Sequence, residues 1–419
     1  MWAILDIENF YVSAERLFDP KLRNVPVLVL SNNDGCAVAR SAEAKALHIK
    51  MGAPVFLIRD RIKRHGIELR SSNYELYSDL NRRFNMVIGE FSDTVEIYSI
   101  DESFFRLPVL PNGLGDVATA HRVREAVMRS VGLPTRIGLG PTRALSKVAN
   151  ALAKASEKVW GGVVDLHDAE LRKRLFAAWP VEEVWGIGPA LAARLRPLGV
   201  ATAADLAALH PDIARSVGTV VLERLVLELN GIECEGFQPE PEPLKGTAVT
   251  RCFGEPVSDA TTIREAMARR AVRAAEKIRA QGLVAMRLIA FMHGSRFKPN
   301  APSASRSARL SPATNDPRVV ARVAGALSDA MFASGSIYTK CGVMLEGLHA
   351  ADAMQGDLFA AADPKAGELL AALDGLNRRF GRSTVRLAAE GQGARSYDTK
   401  RSMKSQAWTT RIGEVPIAR

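Results

Sequence analysis

Val95-Glu96-Ile97-Tyr98-Ser99-Ile100-Asp101-Glu102-Ser103-Phe104-Phe105 is the stretch on which the fold of this chain turns. Val95, Ile97 and Ser99 alternate with Glu96, Tyr98 and Ile100, the two-residue period of a strand, and the β-branched and aromatic content agrees. A strand is expected here, running into the adjacent carboxylates of Asp101 and Glu102. Taken alone, such a pair reads as a solvated hairpin turn. A third acid shifts that reading. Met1-Trp2-Ala3-Ile4-Leu5-Asp6-Ile7 is an apolar run with an aspartate where a buried strand would carry a hydrophobe. Burying that carboxylate is costly unless something compensates it. If the two strands are neighbours in one sheet, Asp6, Asp101 and Glu102 converge, and like charges so close need a cation. Oxygen ligands of this kind suit Mg²⁺.

At 419 residues the chain is too long for one compact core and is expected to divide into several domains. Lys and Arg total 56 against 46 acids, a net charge of +10, which suits a polyanionic partner without choosing between nucleic acid and an acidic membrane surface. No basic segment precedes the N-terminal apolar run, and no apolar stretch reaches spanning length, so a cytoplasmic protein with no membrane partner is expected. Cys36, Cys234, Cys252 and Cys341 are far apart and lack Cys-x-x-Cys pairing or a nearby His. They read as reduced thiols, which argues against zinc.

Phe10 and Tyr11 directly follow the first strand, where a nucleotide sugar would lie beside a metal. A large ring there blocks a ribose 2′-hydroxyl by sterics; the plain alternative is packing of the first helical turn. A strand over 25–30, a turn at Ser31-Asn32-Asn33-Asp34-Gly35 and a partner strand over 36–40 form a hairpin. A helix follows over 41–47 and another leads out of Arg70 to Tyr77. Arg40 and Lys45 either meet phosphates or are exposed helix charges. Val117, Ala120, Val123, Val127 and Val131 mark a helical face. Thr135 to Gly140 is a strand and Thr142 a helix cap. On that helix Leu145, Val148, Ala149 and Leu152 face the core, leaving Lys147 and Lys154 free to reach a triphosphate or to be solvated. This order of elements fits a split βαβ sheet.

Trp185-Gly186-Ile187-Gly188-Pro189, with Arg194 beyond it, has the form of a helix-hairpin-helix, whose glycines let backbone amides approach a DNA phosphate; a plain helical hairpin is the alternative. A small helix from Thr202 to Leu209 follows, and the helical domain closes near Gly231. Gly236 to Pro243 is a stiff linker. Beyond it a helix is expected over 262–281, strands at 284–292, 305–310 and 337–345, and a helix over 317–332. Arg296, Lys298, Arg306 and Arg309 lie in a Ser- and Pro-rich connection suited to gripping a duplex backbone, or else serve solvation. Gln355-Gly356-Asp357-Leu358-Phe359 looks like a sliding-clamp-binding peptide, a short pattern of low specificity. Leu369, Leu370, Leu373 and Leu376 fall on one helical face before a basic end.

Several of these stretches together resemble the Y-family translesion DNA polymerases. They are Asp6 with Phe10-Tyr11, Glu43-Ala44-Lys45, Tyr98-Ser99-Ile100-Asp101-Glu102 and Thr142-Arg143-Ala144-Leu145-Ser146-Lys147. Ser31-Asn32-Asn33-Asp34-Gly35-Cys36 and Asn73-Tyr74-Glu75-Leu76-Tyr77 are similar to the UmuC-type branch. Ala42 and Lys45 depart from much of the wider family, which places a tyrosine and an arginine there, and agree with that branch. The resemblance implies an α+β multidomain right-hand polymerase. Its parts would be a ferredoxin-like palm (1–24 and 76–167), small fingers (25–75), a helical thumb with the helix-hairpin-helix (168–235), a linker (236–245), an α/β little finger (246–350) and a tail (351–419).

The resemblance also implies roles. Asp6, Asp101, Glu102 and the Ile7 carbonyl would bind two Mg²⁺ ions. Tyr11 would be a steric gate with Phe10 beside the sugar, and Lys45 and Lys154 would hold the incoming dNTP. Gly186, Gly188, Arg194, Arg296, Lys298, Arg306 and Arg309 would contact primer-template DNA, and Gln355, Leu358 and Phe359 a sliding clamp. Further partners would be a processed UmuD-type dimer and a RecA filament, in SOS lesion bypass. Rival readings are a DinB-like relative, a nucleotide cyclase sharing the palm, and a catalytically inactive clamp-tethered scaffold. The last would lack at least one palm acid, and all three are present.

Overall fold

The computed structural model describes residues 1–112, 115–237, 244–353, 365–391, 398 and 400–415. The chain divides into two compact units, Met1–Pro241 with Ser402–Arg419, and Glu242–Arg401. In chain order the first unit begins β1 (Trp2–Ile7), α1 (Phe10–Phe18), β2 (Val27–Leu30), β3 (Ala37–Arg40), α2 (Ala42–Ala46), α3 (Arg59–His65), β4 (Glu68–Ser71) and α4 (Tyr74–Gly89). It continues β5 (Val95–Ile97), β6 (Glu102–Arg106), α5 (Val117–Val131), β7 (Thr135–Gly140), α6 (Arg143–Ala155), α7 (Glu157–Trp160) and β8 (Val163–Asp165). The helical part comprises α8 (Ala169–Ala178), α9 (Pro189–Leu195), α10 (Ala203–Ala208) and α11 (Pro211–Leu229).

The main sheet runs β5-β6-β1-β7-β8, with β1 at its centre and antiparallel to both β6 and β7. Every residue of β1 is buried. Ala3, Leu5 and Ile7 enter the main core, and Trp2 and Ile4 pack with Phe104 on the other face. The period of two therefore gives both faces of this strand a core to enter. Helix α6 lies so close to β7 that a Cβ at Gly138 would collide with the backbone of Ser146 and Asn150. Thr142 caps α6, its hydroxyl accepting from the Leu145 amide at 3.2 Å.

The strand expected to run into Asp101 and Glu102 stops short of them: β5 ends at Ile97, Tyr98 to Asp101 turn, and Glu102 opens β6. Tyr98 and Ser99 amides both donate to the Glu102 carbonyl, so the acids sit at the turn and the start of the return strand. A second sheet, β3-β2-β4, adds the parallel strand β4 to the expected hairpin. Neither β4 nor the three-residue β8 was evident from the residues: each is short, and Leu69 is the only apolar residue of β4. In the helical part, Gly186 takes φ +91° and Gly188 is the N-cap of α9, which forms the Gly-x-Gly turn. The long helix α11 closes this part, with a break at Thr219.

The second unit contains β9 (Gly246–Val257), α12 (Ala260–Arg279), β10 (Leu283–His293), β11 (Ser303–Thr314), α13 (Pro317–Met331), β12 (Tyr338–Ala350) and α14 (Ala366–Phe380). Its antiparallel sheet runs β11-β10-β12-β9. Ile263, Met267 and Ile278 of α12 and Val320 and Ala324 of α13 share a core with Leu288, Met292 and Val343. The edge strand β9 was not expected, because it is largely exposed and polar. Arg296 and Lys298 lie in the β10–β11 connection, whereas Arg306 and Arg309 are exposed on β11 itself, a strand longer than the expected 305–310.

The expected tail does not stay in one piece. Helix α14 docks through Leu370 and a two-pronged Arg279–Asp374 ion pair at 2.7 Å, leaving Leu369 and Leu376 exposed, so the apolar face anticipated there is only partly used. Residues 402–415 belong to the first unit. Gln355, Leu358 and Phe359 lie outside the described residues. The four cysteines are free, and no described helix is long and apolar enough to cross a membrane.

Candidate active site

Strand register brings the distant acids together. Asp6 stands directly opposite Glu102 across the β1–β6 pair, and the Ile7 amide donates to the Asp101 carbonyl at 3.0 Å. Asn81 of α4 donates to the Ile100 carbonyl at 2.9 Å and so holds the turn carrying Asp101. A cleft of about 440 Å³ opens over this end of the sheet, lined by Asp6, Ile7, Phe10, Tyr11, Lys45, Asp101 and Lys154 among others. The sheet thus supplies the acids, α1 the rings, α2 Lys45 and α6 Lys154.

Each of the two sheet acids is matched by a lysine of α6. Lys154 Nζ donates to Asp6 Oδ2 and Lys147 Nζ to Glu102 Oε2, both at 2.7 Å. The lysines expected to be free for a triphosphate are therefore engaged. Lys147 is also held 4.5 Å from the centre of the Tyr98 ring. Lys154 remains 45% exposed, so it alone of the pair can exchange its partner for a phosphate at small cost.

Burial pushes the Asp6 carboxyl up to about 8, helped by the neighbouring Glu102 and opposed by Lys154. Burial pushes Glu102 the same way, but hydrogen bonding with Asp6 and the charge of Lys147 outweigh it and hold Glu102 below its ordinary range. One acid of the pair thus keeps a proton that a cation would displace. The Asp101 carboxylate is turned to the Ser99 hydroxyl at 2.6 Å. Among the described residues no three His, Cys, Asp or Glu side chains form a closed metal cluster in these rotamers. The donor chemistry nevertheless fits a hard divalent ion: two carboxylates forced together by register, a third on the adjoining turn, and no sulfur or imidazole.

Tyr11 is half-buried and lies face to face with Tyr77, ring centres 4.4 Å apart and planes at 13°, with Tyr74 edge-on at 5.9 Å. Burial, then Tyr74 and Asp101, pushes the Tyr11 phenol up to about 12, so it stays neutral. Phe10 is buried behind it and offers the cleft little of its ring. Burial and the nearby Arg40 lower the Lys45 ammonium from its ordinary range. Gly186, Gly188 and the exposed Arg194 are remote in sequence from the acids and form their own turn in the helical part.

One basic cleft residue was missed. Arg136 stands opposite Asp6 across the β1–β7 pair and bridges Glu8 and Glu157, both at 2.8 Å. An arginine inside the otherwise apolar strand Thr135–Gly140 was the available signal, of the same kind as Asp6 in β1.

A mixed α/β unit with carboxylates at the tips of adjacent central strands, a stacked tyrosine beside them and a second αβ unit is the arrangement of the Y-family DNA polymerases. Residues 5–151 match the impB/mucB/samB family, residues 245–358 the impB/mucB/samB family C-terminal domain, and residues 368–418 a domain of unknown function (DUF4113). Protein UmuC of Salmonella typhimurium is 38% identical over 423 residues, covering 99% of each chain, and protein ImpB of the same organism 38% over 426, covering all of both. DNA polymerase IV of Bacillus velezensis is 26% identical, covering 92% of each chain. A Y-family DNA polymerase chimera of Dbh and Dpo4 shares the fold with a TM-score of 0.66 at 17% identity, covering 83% of this chain and 99% of that one. The chain belongs to the impB/mucB/samB family of Y-family DNA polymerases.

Proposed function

We propose that this polymerase performs template-directed, error-prone synthesis across damaged DNA in the SOS response, in the cytoplasm, with two Mg²⁺ ions held by Asp6, Asp101, Glu102 and the Ile7 carbonyl. The observation that carries this reading is the register pairing of Asp6 with Glu102, with Asp101 tied to the backbone of Ile7, at the floor of a cleft walled by Tyr11, Lys45 and Lys154. Mg²⁺ held by these residues would activate the primer 3′-hydroxyl and neutralise charge on the departing pyrophosphate. The chain's own residues do the rest. Lys154 moves from Asp6 to the triphosphate as the nucleotide enters, and Lys45 orients it from the opposite wall. Tyr11 leaves no room for a 2′-hydroxyl. The acids serve as ligands, and no side chain is required as a general base.

Primer-template DNA is held by the helix-hairpin-helix at Gly186, Gly188 and Arg194 and by Arg296, Lys298, Arg306 and Arg309. Gln355, Leu358 and Phe359 attach the enzyme to a sliding clamp, and a processed UmuD-type dimer and a RecA filament are its further partners. Primer extension on damaged and undamaged templates, with and without clamp and partner proteins, tests this. Extension confined to undamaged DNA under every condition would refute the bypass role. Deleting Leu358 and Phe359 should remove clamp stimulation, and undiminished stimulation would refute that attachment.

A further inference from the structure

After leaving the second unit at Arg401, the chain returns to the first and lies as a strap over the junction of α1, β4 and α4. Ser71 and Met403 exchange hydrogen bonds at 3.0 Å, which adds one rung beside β4. Asn73 holds the strap from the other side: its Oδ1 accepts from the Leu76 amide as the cap of α4, while its Nδ2 donates to Ser405 Oγ at 2.9 Å and to the Gln406 carbonyl at 3.1 Å. Beyond that, Trp408 stacks on Phe18 with centres 5.0 Å apart. This stretch is the end of the 368–418 match, whose family description assigns it no function.

The strap reaches a charge that the catalytic chemistry does not use. Glu15, one helical turn beyond Tyr11, is wholly buried, and its Oε1 accepts from the Tyr77 hydroxyl at 2.7 Å and from Ser405 Oγ at 3.0 Å. A buried carboxylate holds its place only while its donors do. Tyr77 is also wholly buried, and its ring is the face on which Tyr11 stacks. A continuous path therefore runs from Ser405 through Glu15 and Tyr77 to Tyr11, while Asn73 fixes the start of the helix from which both Tyr74 and Tyr77 reach Tyr11.

We propose that the strap is a positioning element for sugar selection, holding the Tyr77 platform and through it the Tyr11 ring at the height that excludes a 2′-hydroxyl. The inference rests on the reading of Tyr11 as the sugar gate. A gate made of one ring discriminates by where that ring stands, so a platform that loosens admits ribonucleotides before it slows deoxynucleotides.

The test uses full-length protein carrying Ser405→Ala and Trp408→Ala together, with kcat and KM measured for matched deoxy- and ribonucleotides. Discrimination should fall about tenfold, through a lower KM for the ribonucleotide with kcat for the deoxynucleotide largely kept. Ser405→Ala alone, which keeps the stack on Phe18, should give a smaller change of the same sign, and Trp408→Phe should retain discrimination. Tyr11→Ala runs beside them. If Tyr11→Ala relaxes sugar choice and the double variant does not, or loses both sugars equally, the strap inference alone is overturned. If Tyr11→Ala leaves sugar choice intact, the gate reading falls and this inference with it.

Discussion

The acid cleft of the first unit and the arginine-bearing strand β11 of the second unit handle charge in opposite ways. In the cleft, Asp6 is almost fully buried, matched residue for residue with Glu102, and each acid meets one lysine of α6. On β11, Arg306 and Arg309 are exposed, and across from Arg309 on the neighbouring strand stands Arg287, whose own acid partner, Glu346, lies 3.7 Å away. Buried charges act through position and have no substitutes. Exposed ones act through their sum, and water screens each of them. On the proposed function, the cleft does chemistry at a point and the strand supplies attraction along a polyanion.

If that contrast is right, single changes in the cleft are severe. Asp101→Ala or Glu102→Ala should cut the rate of primer extension on the order of 10³-fold while a gel-shift assay shows DNA affinity nearly unchanged. Extension at the normal rate by purified Asp101→Ala protein would break the comparison at its strongest point. Tyr11→Ala should lower discrimination against ribonucleotides by about 10²-fold, read from paired kcat/KM values; unaltered sugar choice would remove the gate.

The raised pKa of Asp6 sharpens the comparison further. Between the ordinary carboxylate range and about 8 the metal-free fold keeps a proton that the unfolded chain has lost. Its contribution to stability is therefore present at low pH and disappears as pH rises through about 8. Mg²⁺ competes for the same oxygens, so its affinity should fall by up to about tenfold per pH unit below that point. Calorimetry in buffers of differing ionisation enthalpy should record close to one proton released on Mg²⁺ binding at neutral pH, and none for Asp6→Asn. Release of no proton by the unsubstituted protein would place the ion elsewhere.

The smallest effect belongs to the second unit. Arg309→Ala should weaken DNA binding only about two- to threefold, equally for all sequences, and lower the salt dependence by roughly one counterion. A loss as large as that of a cleft substitution would show that β11 also works by position.

Much of the candidate site was legible because its residues break local patterns. Asp6 interrupts a buried strand, and two adjacent acids follow an alternating run. Arg136 breaks its strand in the same manner and was readable on the same grounds. The end of β5 at Ile97 was not, because Tyr98, Ser99 and Ile100 keep the two-residue spacing while the backbone has already turned. Strands β4, β8 and β9 escaped for a shared reason: short or edge strands bury too little to leave a period.

Along the chain alone, length and periodicity pointed to more than one compact unit, to where helices face inward, and to which carboxylates, rings and lysines are out of place in them. Those are properties of neighbours in sequence, set by the geometry of helix and strand. Only the tertiary structure decided that Asp6 meets Glu102 and that Lys147 and Lys154 are held by those acids. It alone also placed Ser405 against Glu15, behind the Tyr77 ring on which Tyr11 stacks. Such pairings depend on sheet register and on a chain end returning across hundreds of residues, and no local spacing encodes either.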